Sequence, residues 1–118
     1  MPYIQSNGVN LYFEESGSGK ETVMFSHGLL WSHRMFRAQV QHLQKRYRVI
    51  AYDHRGQGQS EFKEPFDMDT LYEDAAALIT ALCEGPVHFV GLSMGGFIGI
   101  RLAARLPDLI KSLGLLET

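Results

Sequence analysis

Cysteine is nearly absent from this sequence: Cys83 is the only one in 118 residues. No disulfide can form within such a chain, which fits a reducing compartment, so we expect a cytoplasmic location. Cys83 stands at the end of an apolar helical pattern, and this favours a small buried side chain over a nucleophile. The N-terminus lacks a basic segment followed by an apolar one, so we expect no signal peptide.

Excess charge and long apolar runs are also missing. The net charge of −2 provides no electrostatic basis for binding nucleic acid or an acidic membrane surface. No apolar run approaches the roughly 20 residues that a membrane-spanning helix needs. We therefore expect no nucleic-acid partner and no membrane association. Hydrophobic residues make up 45% of the chain and charged residues 20%, which is typical of a globular protein with one domain at most.

The chain alternates between strand-like and helix-like segments after an opening hairpin. Asn7-Gly8 between two alternating segments predicts a β-hairpin, because both residues tolerate the positive φ angles of a type I′ turn. Further strands are predicted at 22–26, at 47–52, from Val87 into the motif that begins at Gly91, and at 110–117, and helices at 35–46, 70–82 and 94–106. A capping box, Thr70-x-x-Glu73, is predicted to open the second helix. The alternation indicates an α/β fold with a mostly parallel sheet and helices on both faces.

One stretch organises the rest of the chain: a short apolar strand runs into Gly91-x-Ser93-x-Gly95, and a helical pattern follows directly. This context is typical of a nucleophile elbow, a tight turn that exposes a serine side chain above the sheet. The glycines have a mechanical role, because a Cβ on either side of the turn would crowd the neighbouring strand or helix. We therefore take Ser93 as the candidate nucleophile. The alternative is a Gly-Ser turn with no chemical role.

Three motifs stand in a fixed order: His27-Gly28, then the polar loop 53–60 (Asp-His-Arg-Gly-x-Gly-x-Ser), then the elbow 91–96. Together they resemble the α/β-hydrolase fold family, in its serine esterase, lactonase and haloperoxidase-like branch. The resemblance covers the chain from the first hairpin to Thr118, but only the N-terminal half of the family's fold. Residues 1–118 are accordingly interpreted as a single incomplete domain that ends with the strand after the nucleophile helix.

The resemblance implies a site and a reaction. Ser93 matches the family's nucleophile, and the backbone N–H groups of Met94 and Leu29 match its two oxyanion donors. Serine rather than aspartate at the elbow implies an acyl-enzyme route, and the expected substrate is a small ester or lactone. No cofactor and no metal are implied. Trp31 and Phe36 follow the oxyanion loop and either line an acyl pocket or belong to the core, which the helical spacing favours for Phe36.

The family also requires an acid and a histidine after the nucleophile, and no histidine follows Ser93 in this sequence. All the histidines precede it: His27, His33, His42, His54 and His88. We interpret His27 as structural and His33 as a solvated loop residue. Asp53 and Glu117 are not assigned as the acid. We therefore expect this chain to be inactive on its own, with its acid and base in sequence that it does not contain.

Other functions stay open at this point. The same fold could serve as a non-catalytic module that binds a small ligand, or as a cofactor-free perhydrolase or haloperoxidase that uses the same serine. A nucleotide-binding domain ranks last, because neither Gly56-x-Gly58 nor Gly95-Gly96 forms a Gly-x-Gly-x-x-Gly motif after the first parallel strand. The last predicted strand, 110–117, would leave an apolar edge unpaired. We expect that edge to recruit a second copy of the chain or the missing C-terminal half.

Overall fold

The structure is a computed structural model that describes residues 3–29, 31–62 and 66–117. Its strands are β1 Tyr3–Ser6, β2 Val9–Ser16, β3 Thr22–Ser26, β4 Arg48–Tyr52, β5 Val87–Leu92 and β6 Ile110–Leu116. Its α-helices are α1 Arg37–Leu43, α2 Met68–Leu82 and α3 Met94–Arg105. Short 3-10 helices at His33–Phe36 and Pro107–Leu109 lead into α1 and β6.

The opening hairpin forms as predicted. β1 and β2 pair antiparallel with Ser6 opposite Val9, so the loop between them is only two residues long. Those residues, Asn7 and Gly8, have φ angles of 52° and 88°. Positive φ at both central positions is the requirement of a type I′ turn, whose twist matches that of the strands it joins.

The six strands form one sheet in the order β1-β2-β4-β3-β5-β6. β1 and β2 run antiparallel at one side, while β4, β3, β5 and β6 are mutually parallel. Ser26 at the end of β3 lies between Tyr52 of β4 and Gly91 of β5. The segments that follow these three strands therefore meet at one edge of the sheet, which is where ligands bind in open α/β sheets.

Helices cover both faces of the sheet, as the alternation predicted. Alternate residues of a strand point to opposite faces. Val23, Phe25, Val49 and Ala51 form a core with Phe36 on the side of α1. The alternate residues of β3 and β4, which are Met24, Ile50 and Tyr52, face α2 and α3. They build the larger core together with Phe89 of β5, Leu78 of α2 and Ile98 of α3. Phe36 is 2% exposed, so its expected place in the core is confirmed.

The start of α2 differs from the prediction. The helix begins at Met68, and its N-cap is Asp67, whose carboxylate accepts hydrogen bonds from the backbone N–H of Thr70 at 2.9 Å and from its hydroxyl at 3.0 Å. Thr70 thus lies inside the first turn, and the predicted capping box is wrong. An aspartate three residues before Thr70 satisfies the free N–H groups of that turn, so the helix starts earlier.

The helix α1 is also shorter than its predicted span of 35–46. The preceding residues form the 3-10 helix His33–Phe36, whose N-cap is Ser32. Beyond Leu43 the chain continues as a turn, in which the N–H groups of Arg46 and Tyr47 both donate to the Leu43 carbonyl. The apolar periodicity therefore marked the buried face correctly, while local hydrogen bonding decided where regular α-helix begins and ends.

A buried ion pair joins the hairpin, the loop after β4 and α2. The Arg55 guanidinium donates to both carboxylate oxygens of Asp74, at 2.7 and 2.8 Å, and also to the Asn7 carbonyl at 2.9 Å. The Asn7 side chain donates to Asp74 at 3.0 Å. Bidentate pairing of this kind fixes geometry as well as charge.

The strand β6 lies at the end of the sheet, and in the described part of the chain it pairs only with β5. Its residues Leu115 and Leu116 are 44% and 43% exposed. The edge strand thus carries exposed apolar side chains, and its pairing with a further strand stays a prediction. Within the described residues, no helix is both long enough and apolar enough to cross a membrane.

Candidate active site

Ser93 occupies the single residue between the end of β5 and the start of α3. Its backbone has φ 52° and ψ −109°, a conformation that non-glycine residues rarely adopt. Its N–H donates to the carbonyl of Leu116 at 2.9 Å, and its carbonyl accepts the N–H of Phe97 at 3.1 Å. Backbone strain of this type persists only where the surrounding structure holds it, and it is concentrated at functional sites. Both contacts help to hold the Ser93 turn.

The glycines on either side of Ser93 are required by close backbone contact. A Cβ at Gly91 would overlap the Gly95 carbonyl, and a Cβ at Gly95 would overlap the carbonyl of Ser26. Only glycine therefore allows the first turn of α3 to lie against the ends of β3 and β5. Gly91 and Gly95 therefore have the mechanical role predicted from the sequence.

The two proposed oxyanion donors lie on the segments that flank Ser93. Met94 is the first residue of α3, so its N–H has no acceptor within the helix and belongs to the positive end of the helix dipole. Gly28 lies beside the elbow, because a Cβ there would be 3.0 Å from Cδ2 of Leu92 and 3.9 Å from Cβ of Ser93. The chain therefore reaches Leu29 immediately after passing Ser93.

Apolar side chains next to the elbow are exposed. Leu29 and Trp31 of the loop are 59% and 56% exposed, and Phe97 on α3 is 48% exposed. Trp31 is thus not a core residue. A groove of about 790 Å³ lies elsewhere, between β2 and α1, and its lining includes Glu14, His33 and Arg37 but not Ser93.

His27 and His54 are buried next to each other, with ring centroids 4.1 Å apart. The backbone N–H of His54 donates to Nε2 of His27 at 3.0 Å, so His27 must carry its proton on Nδ1, which donates to the Gly28 carbonyl at 2.6 Å. His54 returns a hydrogen bond from Nε2 to the His27 carbonyl at 2.8 Å. His27 is therefore structural, in agreement with the sequence analysis.

Both of these imidazoles are held neutral. Burial, with the neighbouring His27 ring, lowers the pKa of His54 to about 3. Burial also lowers the pKa of His27. Desolvation disfavours the charged form of a histidine, and among the described residues no carboxylate forms a hydrogen bond with either ring to restore it. The pair therefore acts as a fixed set of neutral donors and acceptors.

Asp53 and His33 form a second buried arrangement. Oδ1 of Asp53 accepts the backbone N–H of His33 at 2.7 Å and its ring Nδ1–H at 2.8 Å. Nε2 of His33 is 3.2 Å from Oε2 of Glu14. His33 is only 5% exposed, so the interpretation of a solvated loop histidine is wrong. The sequence could not show this, because the residues that enclose His33 come from β2 and from the loop after β4.

No histidine of the described residues forms a hydrogen bond with the Ser93 hydroxyl. His33 is bonded to Asp53 and Glu14, and His88 to Ser112 and Glu21. The roles of Asp53 and His54 were missed by sequence reasoning. No feature of the sequence marks these contacts, because they arise from the parallel pairing of β3 and β4, which places the residues that follow the two strands side by side.

Comparison with known proteins agrees with this architecture. A family model for the alpha/beta hydrolase fold matches residues 21–118. The 3-oxoadipate enol-lactonase 1 of Acinetobacter baylyi is 41% identical over 87 residues, which cover 70% of this chain and 33% of the lactonase. The AB hydrolase superfamily protein YisY of Bacillus subtilis is 41% identical over 99 residues, covering 82% of this chain and 37% of YisY.

Among solved structures, the epoxide hydrolase VrEH1 from Vigna radiata superposes with a TM-score of 0.94 at 31% identity. The match covers 98% of this chain and 39% of that one. The chain thus spans less than half the length of each of these relatives. The family model covers most of the chain, and the sheet order and elbow geometry agree with it. The chain belongs to the α/β-hydrolase fold family.

Proposed function

We propose that this chain carries the nucleophile and both oxyanion donors of a serine hydrolase that acts on small esters or lactones. The observation that carries the proposal is the backbone of Ser93, held at φ 52° between β5 and α3 with Gly28 beside it. The likeness to an enol-lactonase supports an acyl substrate. A serine at the elbow, where other members of the family use an aspartate, favours an acyl-enzyme over an alkyl-enzyme ester.

In the proposed reaction, Oγ of Ser93 attacks the carbonyl carbon of the substrate and its proton passes to a histidine supplied from outside residues 1–118. The negative charge that develops on the former carbonyl oxygen is stabilised by the N–H groups of Leu29 and Met94. Collapse of this intermediate breaks the bond to the alkoxide, which takes the proton back from the histidine. Water then releases the acyl group from Ser93 by the same steps. Loss of one oxyanion donor typically costs about 3 kcal/mol of transition-state stabilisation.

The test is labelling with an active-site-directed fluorophosphonate. The chain alone should label slowly, because a serine without a base is a weak nucleophile. A polypeptide that adds a C-terminal segment with the family's acid and histidine should label quickly at Ser93. Ser93→Ala should abolish that labelling, whereas Ser32→Ala, a serine of the oxyanion loop, should retain it.

A second candidate follows from the missing base: a non-catalytic module that binds a small ligand in the same place. This reading is favoured if Ser93 fails to label even in the longer polypeptide. A labelled Ser93 contradicts it. A perhydrolase reaction at the same serine would be distinguished by peracid formation from acetate and hydrogen peroxide in the longer polypeptide.

A further inference from the structure

The loop from His27 to His33 carries Leu29, one of the two donors on which the proposed function depends. It leaves the sheet at the end of β3 and rejoins regular structure at the 3-10 helix His33–Phe36. An N–H group stabilises a developing oxyanion only if its position is set before the reaction begins. What holds this loop is therefore as important as the donor itself.

The first end of the loop is held by His54. Its backbone N–H and its ring Nε2–H bond respectively to the ring and to the carbonyl of His27, at 3.0 and 2.8 Å. Because Nε2 of His27 accepts a hydrogen bond, the ring proton is on Nδ1, which donates to the Gly28 carbonyl. That carbonyl also accepts the N–H of Trp31 at 3.2 Å. The orientation of the peptide between Gly28 and Leu29 is thus tied to His54.

The other end is held by Asp53. One carboxylate oxygen accepts both the backbone and the ring N–H of His33, and the other accepts the N–H of Gln59 at 2.8 Å. Asp53 is completely buried and is itself fixed, because its carbonyl accepts the Ser60 hydroxyl at 2.6 Å. Gly58 makes room for it, since a Cβ there would overlap the carboxylate.

We propose that Asp53 and His54 are positioning residues that clamp the two ends of the loop 27–33 and thereby fix the Leu29 N–H for the oxyanion. The proposal rests on the proposed function, but the clamp itself can be tested without catalysis. Two consecutive residues after β4 bind the start and the end of the loop that follows the neighbouring strand. Loss of either contact frees an end of the loop, and the donor position then becomes variable.

Trp31 is the only tryptophan in the sequence and lies within the loop, so its fluorescence reports on the clamp. In Asp53→Ala, time-resolved anisotropy should show a larger amplitude of nanosecond motion at Trp31. Hydrogen exchange at the His33 amide should accelerate about 10- to 100-fold, the change expected when a hydrogen bond to a charged group is lost.

Asp74→Ala is the matched control. Asp74 is also a buried carboxylate with several donors, but the donors to its carboxylate come from Arg55 and Asn7, neither of which belongs to the loop. It should lower the global stability and leave the local motion of Trp31 unchanged in the folded state. If Asp74→Ala loosens Trp31 as much as Asp53→Ala does, the clamp is refuted.

Two milder variants keep the test decisive if Asp53→Ala does not fold. His33→Ala removes the ring hydrogen bond and keeps the backbone one, so an intermediate increase in Trp31 motion is expected. Asp53→Asn retains an oxygen for His33 but turns an NH₂ group toward Gln59, so the loop should remain largely rigid although stability falls. If Trp31 motion in His33→Ala matches that of the parent chain, the proposal is overturned.

The kinetic readout separates this proposal from the function on which it rests. In a polypeptide whose Ser93 labels with fluorophosphonate, Asp53→Ala should slow labelling about 10²- to 10³-fold, the effect of losing one oxyanion donor. A loosened Trp31 with unlabelled Ser93 supports the clamp and contradicts the hydrolase proposal. Rapid labelling of Asp53→Ala together with a rigid Trp31 contradicts the clamp alone.

Discussion

Acid should destabilise this protein through His54 before it affects the carboxylates. The folded imidazole has a pKa of about 3, against an ordinary value of 6.5, because it is buried beside His27. Below pH 6.5 the unfolded chain therefore binds a proton that the folded chain does not. Stability is fully present above that pH and is lost as the pH falls toward 3, which is the direction expected for a histidine kept neutral by folding.

The size of the effect follows from the same values. Each pH unit changes the free energy of unfolding by about 1.4 kcal/mol per proton, and the unfolded imidazole is half protonated at its own pKa, so lowering the pH from about 6.5 to about 4.5 costs roughly 2 kcal/mol. A typical domain has a total stability of only about 5–15 kcal/mol. Carboxylates with ordinary pKa values of about 4.5 or lower contribute mainly below this window. His27, whose pKa burial also lowers, adds an effect of the same sign.

The assay is urea denaturation at a series of pH values, for the parent chain and for His54→Gln. Glutamine can donate to the His27 carbonyl but does not titrate. In the variant, the slope of the free energy of unfolding against pH should therefore fall by up to the contribution of one proton. His42→Gln, at an exposed position of α1, should keep the full dependence. A free energy of unfolding that is flat between pH 6.5 and 4.5, or an unchanged slope in His54→Gln, would refute the reasoning.

Further predictions concern the elbow, the cap of α2 and the sheet edge. Gly95→Ala should prevent normal folding, because its Cβ would overlap the Ser26 carbonyl, while Gly85→Ala, with no atom within 4 Å of its Cβ, should leave the melting temperature within a few degrees. Asp67→Ala should lower the free energy of unfolding by about 1 kcal/mol in urea denaturation, whereas Glu73→Ala should leave it nearly unchanged. If Glu73→Ala is instead the more destabilising substitution, the capping box predicted from the sequence is correct. The isolated chain should associate through β6 in light scattering, and Leu115→Lys should reduce this; a monodisperse parent monomer would contradict the prediction.

Features set by local geometry could be predicted from the sequence. Asn7-Gly8 fixed a two-residue turn, because its backbone conformation depends on the two residues themselves. The elbow was recognisable because Gly91 and Gly95 are required wherever a strand meets a helix so tightly. The strand–helix alternation, and with it the α/β fold class, follows from the periodicity of apolar residues, which is also local.

Features set by contacts between distant segments were decided only by the tertiary structure. Asp53 and His33 are 20 residues apart in sequence and meet because β3 and β4 are neighbours in the sheet. The same proximity buries His54 against His27 and makes both neutral. The sequence by itself determined where the candidate nucleophile Ser93 stands and what kind of turn presents it. The arrangement of strands decided what holds the loop beside it, because hydrogen bonds between separate loops depend on which strands lie side by side.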